Sequence, residues 1–261
     1  MRPIAAFLIA LIAVEWPARD FALRFPDRAE NESAARLMAT ASRLGDGRHS
    51  DADTLRTLRA QIISSPAPVW RQQVGEILEP PMPPLALHMR LIRALGADAI
   101  AQQNKVAAWA DLRAIWILSR ALWDRPEAWS IATAAFGNRT IAKSAAKIGG
   151  PEPAWFAEAA NLDVRTPLVR SIEYEAWLMR ERADRYPAGE SDGSFLDDTV
   201  REAAAPFVRP IRLVKADLEI QHLQAVAANP CANVTSAPEW SAFARRVMAS
   251  QLQNDRVARC R

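Results

Sequence analysis

The sequence predicts an all-α protein, and three observations carry this prediction. Apolar residues recur at helical spacing along most of the 261 residues, alternating strand-like patterns are nearly absent, and 18 prolines divide the chain into pieces of helix length. Proline fits the first turn of a helix but clashes in its interior and removes a backbone hydrogen bond. We therefore expect antiparallel helical hairpins, packed as an irregular bundle or a short α-solenoid.

The predicted helices follow the prolines and the capping residues in order along the chain. Asn31 and Ser50 precede the first two helices, where a side-chain oxygen can accept a backbone N–H, and Gly45 can end the first. Helices are expected near residues 32–44, 51–63, 68–79, 84–95, 97–124, 126–148, 152–160, 166–184, 194–204, 208–228 and 237–257.

The composition is that of an ordinary globular protein, with 50% hydrophobic and 24% charged residues. The clearest loop is the polar, glycine-containing stretch 187–193, which separates possible subregions 21–186 and 194–261. No long low-complexity linker joins these subregions, so we expect residues 21–261 to form a single domain.

The N-terminus carries an apolar run that begins at Ile4 and ends at Val14, after the basic residue Arg2. This length is typical of the apolar segment of an export signal and falls short of the ~20 residues needed to span a bilayer as a helix. Residues 1–20 are therefore predicted to be an export signal or a short anchor that contacts the membrane. The expected location is periplasmic, or anchored to the inner membrane and facing the periplasm; the alternative is a buried N-terminal helix of a cytoplasmic protein.

The charge distribution does not indicate a nucleic-acid-binding protein. The net charge is +3, and the 33 basic residues include only four lysines. The arginines are scattered among acidic residues, whereas a nucleic-acid-binding domain usually gathers basic residues on one face. We predict no nucleic-acid partner.

The segment WADLRAIWILSRALW places a tryptophan at every seventh position. At 100° per residue these rings share one face with neighbouring leucine and isoleucine, in an apolar stripe about 140° wide. Such a wide stripe favours a central core helix, and Trp129 and Phe136 extend the pattern into the next helix. The alternative is a binding platform for sugars, lipids or a partner peptide, built from Trp109, Arg113, Trp116 and Arg120.

The stretch 104–122, followed by Arg125 and Pro126, resembles a helix–turn–helix of the tetratricopeptide type. It is also similar to uncharacterised exported bacterial helical proteins in which an A-DL…SRAL…RP pair is followed by an apolar helix. The resemblance covers about residues 100–150 and has no second copy at the 34-residue period of a true array. It implies an α-hairpin architecture and transfers no catalytic residue.

The sequence contains no recognisable catalytic or metal-binding motif. The three histidines, His49, His88 and His222, lie far apart, and no nucleophile or phosphate-binding motif is present. We therefore predict neither a metal nor a cofactor. Glu173 shares a helix face with Trp177 and two arginines, a row that is either an intrahelical ion pair or part of a ligand-binding groove.

Two cysteines, Cys231 and Cys260, flank the last predicted helix. In an oxidising compartment they would form a disulfide that closes a loop of about 30 residues and stabilises the fold by roughly 3 kcal/mol. The alternative is a pair of unrelated thiols.

These observations favour a non-enzymatic, exported or membrane-tethered helical scaffold that binds a protein partner in the cell envelope. Two alternatives remain open. One is an all-α envelope enzyme that uses an acidic residue such as Glu173, and the other is a carrier of an apolar ligand.

Overall fold

The structure is a computed structural model that describes residues 25–42, 52–185 and 195–252, with the backbone alone for 195–211. The described residues form nine helices and no strand, which confirms the all-α class. The finer prediction of hairpins in a bundle or solenoid stays a prediction. The helices are α1 (Glu32–Ala41), α2 (Ala52–Ser64), α3 (Leu85–Ala101), α4 (Lys105–Trp123), α5 (Ala128–Ile148), α6 (Ala154–Ala160), α7 (Arg165–Arg185), α8 (Phe195–Ala228) and α9 (Pro238–Met248).

Capping residues fix several helix ends as the sequence predicts. Asn31 accepts the backbone N–H of Ala34 at 2.9 Å at the start of α1. Gly149 ends α5 with a φ of 58°, a left-handed conformation that residues with a side chain rarely adopt.

Two predicted helix breaks are wrong. The helix α3 continues through Gly96, where a Cβ atom would lie 2.5 Å from the Thr140 methyl group of α5. Glycine therefore allows a close approach of two helices here and does not end one. The helix α8 likewise runs without interruption through Pro206 and Pro210.

The predicted helix at 68–79 is also wrong, because residues 66–84 contain no helix and form an irregular segment with a turn at 74–75, which we call the extended segment. Because the segment lacks the backbone hydrogen bonds of a helix, several of its carbonyl groups accept hydrogen bonds from distant side chains instead. Asn31 donates to Ala67 O, and Arg182 donates to Ile77 O and Leu78 O. Three further carbonyls, of Trp70, Arg71 and Pro81, accept hydrogen bonds from Arg125.

The helix α4 occupies the centre of the main hydrophobic cluster and packs against α2, α3, α5 and α6. Its three tryptophans, Trp109, Trp116 and Trp123, are all buried, which confirms the core interpretation of the seven-residue spacing. Trp109 meets Phe156 of α6 edge to face, with ring centroids 5.5 Å apart.

A smaller hydrophobic cluster forms where the extended segment lies on α7. It consists of Phe25, Val74, Ile77, Tyr174, Trp177 and Leu178. The rings of Tyr174 and Trp177 stack at 5.8 Å.

Farther along the chain, α8 packs on α7 and α9 packs on α5, so the main cluster includes Leu37 together with Leu223 and Val247. It thus contains residues from both predicted subregions.

The predictions for the chain termini fall largely outside the described residues. Residues 1–20, including the apolar run, are not described. Within the ranges that the structure does describe, no helix is long and apolar enough to cross a bilayer. Cys231 is not a free thiol, whereas Cys260 lies outside the described residues, so their pairing stays a prediction.

Candidate functional site

The six residues proposed from the sequence as a binding site lie in different surroundings. Three of them are buried: Trp109 and Trp116 in the main cluster and Trp177 in the smaller one. Arg113 is exposed, Arg120 pairs with Asp124 at 2.8 Å, and Glu173 is half-buried. Neither Arg113 nor Arg120 stacks on a tryptophan ring in the part of the chain that the structure describes. None of the six lines the cleft described next.

An open cleft of about 440 Å³ lies between α5, α7 and α9. We call it the aromatic cleft, defined by Trp129, Arg139, Glu175, Glu239, Trp240, Phe243 and Arg246. Small residues of α5, among them Ala132 and Ala135, form its floor, and their size leaves room between the larger side chains.

Trp129 is the most exposed hydrophobic side chain of the cleft, with 73% of its surface accessible. The expectation that it extends the buried tryptophan ladder is wrong. The core face of α5 carries Ile131, Ala134 and Ile141, and at 100° per residue Trp129 lies on the opposite side of the helix. A seven-residue spacing therefore recurs within α5, between Trp129 and Phe136, but it does not mark the buried face of that helix.

The opposite wall of the cleft is one face of α9. Pro238 begins this helix, and Trp240, Phe243 and Arg246 follow at spacings of three that place them on one side. Trp240 and Phe243 meet edge to face at 5.5 Å, while Ala244 and Val247 face the core. Because Ala244 and Val247 of α9 pack on the core, the aromatic and basic residues of this helix face the cleft.

Glu175 of α7 closes the inner end of the cleft and also caps α5. The N-cap of α5 is Glu127, whose own side chain makes no capping bond. Glu175 accepts the free backbone N–H of Ala128 instead. Burial raises the pKa of Glu175, and the nearby charge of Glu127 acts in the same direction, whereas Ala128 and Arg182 oppose it.

Arg139 and Arg246 form the charged part of the cleft. The Arg139 guanidinium donates to the Arg246 carbonyl at 3.1 Å, and burial lowers its pKa, as does the positive charge of Arg246. Neither guanidinium forms an ion pair within the described residues. Glu175 and Glu239 also line the cleft, but neither carboxylate lies within ion-pair distance of the two guanidinium groups, so both arginines are available to an anionic group from outside the chain.

Arg125 provides the contrast, because all five of its N–H groups are used inside the protein. Nε and Nη2 bind the Glu127 carboxylate at 2.9 and 2.6 Å, and the remaining hydrogens reach the carbonyls of Trp70, Arg71 and Pro81. Ser130 completes the Glu127 shell at 3.0 Å. This cluster fastens the extended segment to the turn before α5 and leaves no group for a ligand.

A second buried cluster joins α2, α3 and α4 around Asp111. The Asp111 carboxylate accepts from Arg59 at 3.0 Å and from Gln102 at 2.5 Å, and Gln102 also donates to Asp98 at 2.6 Å. Burial raises the pKa of Asp111 to about 6; Asp98 contributes in the same direction and Arg59 opposes it. Since its side chain is almost fully enclosed, Asp111 does not reach a substrate in this arrangement.

His88 is the buried histidine of α3 and lies edge to face against Trp70 at 5.3 Å. Neither of its ring nitrogens has a hydrogen-bond partner within the described residues. Burial lowers its pKa to about 4, and the charge of Arg125 acts in the same direction. It is therefore neutral at physiological pH, and it does not line the aromatic cleft.

No cluster of three or more potential metal ligands occurs among the described residues.

No family model matches the chain, and no curated protein and no solved structure is detectably similar to it.

Sequence reasoning missed the residues that form the cleft, although Glu175 had a detectable signal. It lies on the face of α7 that buries Ser171 and Ile172, so an acid interrupts an otherwise apolar stripe. Glu173 lies on a different face of the same helix. Arg139 and Arg246 are 107 residues apart, and no local pattern joins them.

Proposed function

We propose that this chain is an exported or membrane-tethered helical interaction protein whose aromatic cleft binds an acidic, partly apolar segment of a protein partner in the cell envelope. The observation that carries this proposal is the cleft itself: Trp129 is largely exposed beside two arginines that have no ion-pair partner within the described residues.

The composition of the cleft supports a protein partner. Tryptophan and arginine dominate the residues at which protein interfaces gain most of their binding energy. Here three aromatic rings line one open cleft, where an apolar side chain of a partner would displace water from Trp129. The two arginines would then pair with a carboxylate of the same segment.

Binding of synthetic peptides tests this proposal. The probe is a fluorescein-labelled peptide in which glutamate alternates with leucine and phenylalanine, and its binding is measured by fluorescence anisotropy. One comparison peptide has lysine in place of glutamate, and another has glycine in place of the apolar residues. We expect binding of the acidic, apolar peptide and at least tenfold weaker binding of both comparison peptides.

Variants of the cleft locate the binding site. We expect Trp129→Ala to weaken the acidic peptide by about 30-fold, the effect of losing a central interface residue, and Arg139→Gln with Arg246→Gln to weaken it by about tenfold. Arg113→Gln is the matched control, since Arg113 is exposed on α4 outside the cleft. Equal binding of all three peptides, or equal losses in the cleft and control variants, would refute the proposed function.

The proposed location rests on the N-terminal apolar run and on Cys231, which is not a free thiol. A fusion of residues 1–30 to a reporter that is active only after export tests it. We expect reporter activity, and we expect it to be lost when Ile4 and Leu8 are replaced by arginine. An inactive fusion would overturn the location without affecting the peptide result.

A further inference from the structure

A second groove runs along α5 beside the aromatic cleft, between α3 and α5. The two helices lie side by side in the same direction, because Arg93 stands 5.7 Å from the ring of Phe136 and Gly96 lies against Thr140. The groove measures about 580 Å³. We call it the lysine groove, defined by Arg93, Ile100, Phe136, Lys143 and Lys147.

The lysine groove carries three cations and no carboxylate in its lining. Arg93, Lys143 and Lys147 form no ion pair in the described ranges, whereas many other exposed arginines of the chain do. Lysine is also scarce, with four residues in the whole chain. A third lysine, Lys105, lies over Gly150 just past the end of α5, so three of the four lysines gather at one end of the molecule.

The same end exposes aliphatic side chains. Ile100, in the last turn of α3, is 44% exposed, and Val106, in the first turn of α4, is 80% exposed. Phe136 adds an apolar floor between the cations. Exposed aliphatic residues beside unpaired lysines are typical of surfaces that rest on a bilayer, where lysine stems lie along the apolar layer and their charges reach the head groups.

We propose that the lysine groove, with Ile100 and Val106, is a docking surface for a membrane that contains anionic phospholipids. The head-group phosphates would neutralise Arg93, Lys143 and Lys147, and the aliphatic residues would enter the interface. Flexible lysines suit the diffuse charge of a lipid surface, whereas two fixed carboxylates or one bound phosphate favour the planar fork of arginine. The open apolar floor also suits an acyl chain better than a soluble anion.

This inference does not rest on the proposed function of the aromatic cleft. The two surfaces share α5 but have no lining residue in common, so substitutions in one surface leave the other intact. Loss of peptide binding leaves the lipid result unaffected, and the reverse also holds.

Vesicle flotation with the full chain tests the docking surface. The probes are phosphatidylcholine vesicles with and without phosphatidylglycerol, at low and high salt. We expect selective binding to the anionic vesicles that salt weakens. The triple substitution Arg93→Gln, Lys143→Gln and Lys147→Gln should lower the affinity by roughly 100-fold, at about fivefold per charge.

A control variant removes the same number of charges elsewhere. It carries Arg113→Gln, Arg170→Gln and Lys215→Gln, all at exposed positions outside the groove. We expect it to lose less than about threefold. The pair Ile100→Ser and Val106→Ser changes no charge and should lower the affinity about tenfold at high salt as well as low salt.

Chemical labelling of lysines gives a second readout that binding through residues 1–20 cannot mask. Acylation of each lysine is followed by mass spectrometry with each kind of vesicle. We expect anionic vesicles to slow the labelling of Lys143 and Lys147 several-fold and to leave Lys215 unchanged.

Three outcomes would overturn the docking surface. The first is an equal loss of vesicle binding in the groove and control variants. The second is uniform labelling of all the lysines with and without anionic vesicles. The third is protection of Lys143 and Lys147 by polyglutamate or inorganic phosphate but not by vesicles, which would assign the groove to a soluble anion.

Discussion

The inner and outer surroundings of α5 use the same residue types in opposite states. On the inside, Trp123 is buried and Arg125 is saturated by five hydrogen bonds. On the outside, Trp129 is largely exposed, and Arg139 lies beside Arg246 and forms no ion pair within the described residues. Residue type alone therefore does not identify a site; the difference lies in whether the protein buries the ring and pairs the charge.

The largest expected effect tests the two arginines. Arg125→Ala should lower the free energy of unfolding by about 3–5 kcal/mol, because it leaves Glu127 buried without its partner. Arg139→Ala should change it by less than about 1 kcal/mol, since its guanidinium has no ion pair to lose within the described residues. Urea denaturation measures both values. Similar losses in the two variants would remove the distinction between a structural and an available arginine.

The two kinds of tryptophan give the next comparison. Trp116→Ala should cost about 3–5 kcal/mol as a large-to-small change in the core, whereas Trp129→Ala should change stability by about 0.5 kcal/mol or less. Thermal unfolding followed by circular dichroism provides the measurement. A strongly destabilised Trp129→Ala variant would mean that the outer ring belongs to the core after all.

The pH dependence of stability distinguishes two buried groups, His88 and Asp111, because burial lowers the pKa of one and raises the pKa of the other. The pKa of His88 is about 4 when folded and 6.5 when unfolded, so stability from His88 is lost as the pH falls through this window. The pKa of Asp111 is about 6 when folded and 3.8 when unfolded, so stability from Asp111 is lost as the pH rises. Each difference corresponds to about 3 kcal/mol, and the two nearly cancel.

Single variants expose each half of this balance. As the pH rises from 4 to 6.5, the free energy of unfolding of Asp111→Asn should increase relative to that of the wild type. The free energy of unfolding of His88→Gln should decrease relative to that of the wild type over the same range. Chemical denaturation at several pH values measures the difference, in which the remaining titrating groups cancel. Parallel curves for the wild type and both variants would contradict the assigned protonation states.

The smallest expected effect concerns the packing of the inner face. A Cβ atom at Gly137 would lie 1.9 Å from the Ser119 hydroxyl oxygen, so Gly137→Ala should cost about 1–3 kcal/mol. Gly75→Ala is the matched control, because its Cβ meets no atom within 4 Å. Ser119→Ala combined with Gly137→Ala should recover part of the loss. Equal stability of the two glycine variants would show that α4 and α5 are less tightly packed than the structure has them.

The local features of the fold were predictable from the sequence, because they depend on neighbouring residues. The stripe of α4, the cap at Asn31 and the stop at Gly149 each follow from spacing or from one residue's conformational preference. Gly96 misled the prediction, since its role depends on Thr140 of another helix. Proline misled the prediction in α8, because Pro206 and Pro210 lie in the helix interior and α8 continues through both.

The aromatic cleft was not predictable, because its walls come from three helices that are distant in the sequence. Trp240 and Arg246 face Trp129 and Arg139 only after α9 has packed on α5. A seven-residue spacing shows that two residues lie on the same side of a helix. It does not show whether that side of α5 faces the core or the solvent, and this decides whether Trp129 is buried.

The extended segment 66–84 has a consequence for the order of folding. Its carbonyl groups are held by side chains 36 to 105 residues away in the chain, so closing these contacts requires large loops to be ordered first. We expect this segment to pack onto the helices after the transition state for folding. Arg182→Gln, which weakens the hydrogen bonds to Ile77 O and Leu78 O, should therefore accelerate unfolding and leave the refolding rate nearly unchanged.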